Sequence, residues 1–136
     1  MQGKRKPYPN DPRKTDVYNK ALDFMNDMYD AIESFPDIEK YCMCNQIRRA
    51  VSSISANIAE GRQSFYYSKE FSHLDIAISS AGEIRAFLDM GLLRSYITYE
   101  QHQQLDKKAE EIVKMLIGLM NWVDKQIENA GKERAK

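Results

Sequence analysis

Two Glu-His pairs are the first residues of this 136-residue chain that could do chemistry. Glu70 and His73 stand three apart, the Glu-x-x-His spacing that supplies half of a carboxylate-bridged di-metal site in a helical bundle. The other half is missing, because His102 follows Glu100 by two residues and the chain has no third histidine. Half a ligand set favours an ordinary exposed pair over a metal centre, and no metal or other cofactor is expected. Serines abound, yet none sits in a nucleophile elbow, and Asp75 close to His73 is not an oriented triad. No Gly-rich phosphate loop is visible. The chain reads as a protein without catalysis.

The cations allow a second kind of chemistry. Arg48, Arg49, Arg62 and Lys69 flank a segment with adjacent tyrosines, Tyr66 and Tyr67. One reading has Arg48 and Arg49 in ion pairs with carboxylates such as Glu60 or Glu83. The other has them touching phosphates, helped by Arg62 and Lys69. The tyrosines would then stack on bases, or simply pack over the open end of a bundle. Asn57, a polar residue on a packed helix, is expected to bond to its neighbours. Asp16, Asp23, Asp27 and Asp30 recur on one helical face, which is either a solvated surface or a dock for a basic partner.

These residues need elements to hold them, and the apolar spacing supplies four. Residues 1–14 read as a flexible basic arm with Pro7, Pro9 and Pro12. Helix one follows, capped by Thr15 or Asp16 and carrying Val17, Ala21, Leu22, Met25, Met28, Tyr29 and Ile32 inward, until Pro36 stops it near Phe35. Helix two is expected from a cap at Asp37 to Gly61, where glycine's tolerance of the left-handed conformation suits a helix end. Its residues Ile47, Val51, Ile54 and Ile58 form one stripe among small residues, which lets other helices come close. Helix three is expected from a cap at Ser68 to Gly91, with Phe71, Leu74, Ala77, Ile78, Ala81, Ile84 and Leu88 inside. Thr98 and Gln101 fit a capping box for helix four.

Helix four has the cleanest heptad, Leu105, Ala109, Ile112, Leu116, Leu119 and Val123. A second stripe runs beside it through Val113, Ile117, Met120 and Ile127, with Trp122 near the same end. One bundle core needs one apolar face. The extra stripe means either a wide buried arc or a second surface that meets another copy of the chain, and the second reading leads to a homo-oligomer. Four amphipathic helices with short links make an all-α, antiparallel up-down-up-down four-helix bundle over residues 15–130, followed by a flexible tail at 131–136.

Composition limits the partners. Twenty Lys and Arg balance twenty Asp and Glu, so the whole molecule is no strong polyanion binder and any nucleic-acid contact must be local. Cys42 and Cys44 would point about 200° apart on a helix, so free thiols in a reducing compartment are expected. With no secretory signal and no apolar run near the ~20 residues of a membrane span, a cytosolic protein follows.

The run QIRRAVSSISANIAEG, Gln46–Gly61, resembles the hallmark helix of the 23S rRNA intervening-sequence protein family, which reads close to QIRRAAVSIPSNIAEG. FYYSKEFSHLDIAISSAGEIRAFL, Phe65–Leu88, resembles that family's Phe-centred helix, with Ser79, Ser80 and Glu83 in its small-residue segment. The likeness spans about Val17 to Gln126, and Gln46, Arg48, Arg49, Asn57, Glu60 and Gly61 are the matching positions. The resemblance implies antiparallel bundles assembled as ring-shaped homopentamers, some of them encoded inside insertions in ribosomal RNA genes. A related branch, the accessory variability determinant of diversity-generating retroelements, implies a reverse transcriptase and nucleic acid as partners. No catalytic residue comes with it. Together these readings lead to a non-enzymatic oligomeric accessory or scaffold for structured RNA or a reverse transcriptase. The alternative is an oligomer that binds only protein, through the acidic face of helix one.

Overall fold

The computed structural model describes the backbone of residues 3–135 and the side chains of residues 3–129. Four helices make up nearly all of it: α1 (Asp16–Ala31), α2 (Met43–Gln63), α3 (Tyr67–Leu93) and α4 (Tyr99–Ala135). Each packs on its neighbour in sequence, and α1 also closes onto α4. The directions follow from which residues meet. Ser52 Oγ donates to Met25 Sδ while Cys44 Sγ donates to the Ile32 carbonyl. Asn57 meets His73 while Ser53 meets Ser80. Arg85 meets Asp106 while His102 meets Asp89. On every seam one index falls as the other rises, so all neighbours are antiparallel, as short links between long helices require.

The stripe on α2 is the centre of the core. Ile47, Val51, Ile54 and Ile58 have almost no accessible surface, and they meet Phe24 and Met28 of α1, Leu74, Ala77, Ala81 and Ile84 of α3, and Ala109, Ile112 and Leu116 of α4 in one cluster. Phe24, absent from the sequence-derived inner face of helix one, is among the most buried, whereas Tyr29 is exposed. Gly61 has a packing role. A Cβ there would lie 3.1 Å from His73 Cβ and 3.3 Å from both Glu70 Cα and the Glu70 carbonyl oxygen, so the backbones of α2 and α3 close to contact at that point.

The helix ends depart from the sequence reading in instructive ways. α1 gives way to a single 3-10 turn, Ile32–Ser34, and Phe35 is already extended (φ −72°, ψ 148°), as the residue before a proline prefers. α2 starts at Met43 and not at Asp37, which instead opens a short 3-10 turn, Asp37–Glu39. Ile38 and Tyr41 are about 80% exposed there (79% and 80%), so no apolar face rewards an earlier helical start. α2 then continues past Gly61 to Gln63, and the glycine stays right-handed. α3 begins at Tyr67, with Tyr66 and not Ser68 at its cap position. The Tyr67 amide donates to the Lys4 carbonyl.

At its far end α3 runs beyond Gly91 to Leu93. The left-handed residue is Ser95 (φ 60°), with Tyr96 N–H bonded to the Gly91 carbonyl and Ser95 N–H to the Leu92 carbonyl, the paired bonds of a Schellman stop. Gly91 is small because Phe35 lies against it, 3.2 Å from where a Cβ would be. Thr98 and Gln101 exchange the two bonds of a capping box, at 2.8 and 3.1 Å. α4 runs to Ala135, so the segment read as a tail continues the helix through that residue. Met1, Gln2 and Lys136 lie outside the described residues.

The stretch read as a flexible arm lies against the bundle. Lys6 N–H donates to the Phe65 carbonyl at 2.6 Å and Asn10 N–H to the Arg62 carbonyl at 2.9 Å. Pro12 is buried in a 3-10 turn capped by the Asp11 side chain.

An ion pair between α3 and α4 has a testable pH dependence. Arg85 Nε and Nη2 donate to the two Asp106 oxygens at 2.8 and 3.1 Å. The Arg85 hydrogen bond holds the Asp106 carboxyl below its ordinary range. A carboxyl depressed in the folded state adds stability above its unfolded pKa and loses it as the pH falls through the folded value. Both side chains are partly exposed, so the expected gain is about 0.5 kcal/mol. Urea midpoints of the protein and of Asp106→Asn should differ at neutral pH and converge in acid. A difference that persists unchanged in acid contradicts this assignment.

Candidate functional site

The chemistry-bearing residues fall into three places. The first is the end of the bundle where α2 passes into α3 and the arm returns. α2 stops at Gln63, and its last carbonyls need donors. Ser64 Oγ and Lys6 Nζ both donate to the Gly61 carbonyl, at 2.7 and 3.1 Å, and Lys6 Nζ also donates to the Arg62 carbonyl at 3.1 Å. One turn into α3, Glu70 has no accessible surface. Its two oxygens sit 2.9 Å from Lys6 Nζ and 3.0 Å from Arg62 Nη1. Aromatic rings close the site: the Lys6 ammonium lies over Tyr67, the Arg62 guanidinium over Trp122, and Tyr67 meets Trp122 edge-on at 5.8 Å. Burial pulls the Lys6 ammonium below the usual lysine value, with the Glu70 contact opposing it.

Glu70 is thus not half of an exposed Glu-x-x-His pair. It turns inward to two cations, while His73 faces α2. Among the described residues no three His, Cys, Asp or Glu side chains are grouped to hold a metal ion. His102 is buried at the other end, with Nε2 2.8 Å from Asp89 Oδ1 and Nδ1 3.1 Å from Gln103 Nε2. Cys42 is exposed, and Cys44 is buried with its thiol pushed up by desolvation.

The second place is a polar seam between α2 and α3. Asn57 Nδ2 donates to the Ser53 carbonyl and Oγ, at 2.9 and 3.0 Å, and Ser80 Oγ donates to Ser53 Oγ at 3.0 Å. Asn57 Oδ1 lies 3.0 Å from His73 Nδ1, which is 3.5 Å from Glu60 Oε2. Asn57 bonds to its neighbours, as expected of a polar residue on a packed helix. Above Ser53 and Ser80 the seam widens into a groove lined by Gln46, Arg49, Ala50 and Glu83.

The third is the α1–α4 seam. Lys108 Nζ is 2.6 Å from Asp27 Oδ2, and Lys20 pairs with Glu111. The acidic face of α1 is therefore partly neutralised from α4.

The four cations singled out from the sequence do not form one patch. Arg48 and Arg49 lie about 20 Å along α2 from Arg62, at 1.5 Å per residue. Arg48 Nη2 donates to the Lys40 carbonyl at 3.0 Å. Arg49 is exposed and, among the described residues, forms no ion pair with Glu60 or Glu83. Arg62 is held by Glu70. Lys69 lies exposed over the Tyr66 ring, 5.6 Å from its centroid. Sequence reasoning took the arm's cations as one basic group, whereas the structure separates Arg5, 4.7 Å over the Phe65 ring, from Lys6, which turns inward to Glu70. The alternation Lys4, Arg5, Lys6 in an extended segment was a usable signal, since it sends Arg5 and Lys6 to opposite sides.

Of the second stripe on α4, Ile117 is 46% exposed. Val113, Met120 and Ile127 are half-buried against the core. No helix among the described residues is long and apolar enough to cross a membrane.

The fold and its hallmark helix have counterparts. A crystal structure of a protein of unknown function from the S23 ribosomal protein family of Bacteroides thetaiotaomicron matches with a TM-score of 0.72 and 30% identity. The match covers 77% of this chain and 95% of that one. No curated protein matches the chain. The family model described as 23S rRNA-intervening sequence protein matches residues 13–118, from the end of the arm well into α4. That span takes in the α2 stripe, the buried Glu70 and the polar seam, and the chain belongs to the 23S rRNA-intervening sequence protein family.

Proposed function

We propose that this protein is a non-enzymatic, self-associating scaffold that holds structured RNA. The observation that carries the reading is the pairing of cations with exposed or half-exposed rings at one end of the bundle. Arg5 lies over Phe65 and Lys69 over Tyr66. Cations interleaved with π-faces suit phosphates beside unstacked bases, as in RNA loops and bulges. Arg49 adds an uncommitted cation farther along α2. Each patch is small and the net charge is zero, so a single subunit should bind weakly. Self-association through Ile117, Val113, Met120 and Ile127 would repeat the patch, and linked copies bind with an avidity that one lacks. The pentameric ring implied by the family resemblance is the arrangement we propose.

The test is a titration of structured RNA at several salt concentrations, with sedimentation on the same samples. The expected result is an assembly larger than one chain whose RNA affinity falls as salt rises. An Arg5→Ala/Lys69→Ala double variant should bind more weakly, with the salt slope reduced by about 2. Failure to retain RNA at low salt would remove the proposal, and a monomer at micromolar concentration would remove its multivalent part.

A further inference from the structure

The Lys6 site has the construction of a ligand pocket, although its occupant belongs to the same chain. Lys6 Nζ donates to two carbonyls, those of Gly61 and Arg62, each at 3.1 Å, and Glu70 Oε1 lies 2.9 Å away as its ion-pair partner, outside hydrogen-bonding geometry. The Tyr67 ring faces the same nitrogen at 5.6 Å. The lysine is 3% exposed and Glu70 fully buried. The two carbonyls are at the C-terminus of α2, the negative end of its dipole. That dipole explains how a second cation, Arg62, is tolerated beside a single carboxylate.

The backbone around Lys6 is read as well. Lys6 N–H bonds to the Phe65 carbonyl, the Tyr67 amide to the Lys4 carbonyl, and Asn10 N–H to the Arg62 carbonyl. Main-chain bonds that align the stretch around Arg5, which makes an isolated antiparallel bridge with Tyr66 before the chain bends at Pro7 and Tyr8, with a pocket for one side chain, resemble the elements of peptide recognition by strand addition. From this geometry we infer that the α2–α3 end is a lysine-reading pocket, and that residues 4–10 of the arm are its built-in, displaceable ligand. The ligand class is a primary alkylammonium on an extended peptide. A guanidinium is excluded, because Arg62 already occupies the planar slot between Glu70 and Trp122. The inference is argued from Lys6 and not from Arg5 or Lys69, and displacing residues 4–10 would also lift Arg5 off the Phe65 ring.

Chemical rescue tests it on the full-length chain. Lys6→Ala should lower the melting temperature and shift the emission of Trp122, the only tryptophan. n-Propylammonium chloride should then restore several degrees and return the emission toward that of the parent. n-Propanol and tetramethylammonium chloride should not, and neither should the Lys6→Arg substitution. Glu70→Gln combined with Lys6→Ala should abolish the rescue. A labelled peptide of residues 3–12 should bind the Lys6→Ala chain more tightly than the parent, whose own arm competes. The pocket is disproved if propylammonium acts no better than the control salt, or if rescue survives the loss of the Glu70 charge. Should Lys6→Ala fail to fold, Lys6→Met keeps the apolar stem and removes only the ammonium. Trypsin should then cut after Lys4 and Arg5 much faster than in the parent. Equal protection of the arm in the two proteins overturns the inference.

Discussion

Replacing Glu70 with alanine is expected to destabilise the protein by about 3–5 kcal/mol, the range for breaking a buried ion pair from one side. The size follows from what stays behind. Glu70 has no accessible surface, and both oxygens face cations, Lys6 Nζ at 2.9 Å and Arg62 Nη1 at 3.0 Å. Without the carboxylate, two positive groups remain close together with little water. Arg62 Nε already lacks an acceptor among the described residues, so the guanidinium has no spare partner to turn to. Lys6 can relieve the repulsion only by leaving with the arm or losing its proton, and both forfeit bonds to the α2 carbonyls. Glu70→Gln keeps the shape and an acceptor and should cost less, about 1.5–3 kcal/mol, the worth of a charge-assisted hydrogen bond. Urea denaturation of the three proteins measures both. A loss below about 1 kcal/mol for alanine would mean that the cations were never committed to this carboxylate.

Apolar periodicity could not reveal that site, for a physical reason. Periodicity reports which face of a helix is apolar, and Glu70 falls one turn before Leu74 and two before Ala77 on the buried face of α3. A charge in that position reads as an exception until its partners are known, and the partners come from the arm and from the last turn of α2. The arm itself offered no apolar pattern. Its order comes from backbone bonds to the α2–α3 link and from one lysine, neither of which leaves a mark on hydropathy. By contrast, the α2 stripe, the Thr98–Gln101 box and the count of four helices were legible, because each is a local pattern with a local cause. The starts and stops between those limits were settled by tertiary contact. Gly61 and Gly91 look like helix stops by type. Each instead makes room for a neighbour, the α3 backbone in one case and the Phe35 ring in the other.

The contrast between two isoleucines separates the core of one subunit from the surface proposed for its copies. Ile54 is fully enclosed at the centre of the α2 stripe, and Ile117 on α4 is 46% exposed. Truncating Ile54 to alanine removes three carbons from a place ringed by other buried side chains. The expected loss is about 2–5 kcal/mol, the lost transfer energy plus an unfilled cavity. The loss should be the same at any protein concentration, because nothing outside the subunit touches Ile54. Ile117→Ala removes the same three carbons from a surface position. In a solitary chain the effect should stay within about 0.5 kcal/mol. If copies clasp there, the interface loses apolar burial, and the cost should appear as a midpoint that falls on dilution and as weaker assembly in sedimentation. The exposed Gly118 next to it has open space where a Cβ would stand, so Gly118→Ala should gain up to about 1 kcal/mol in an isolated helix. If a second chain approaches closely at that point, the same change should weaken association. Stability that is independent of concentration in all three variants would confine the bundle's apolar packing to a single subunit, and leave the half-buried stripe of Val113, Met120 and Ile127 as the flank of its own core.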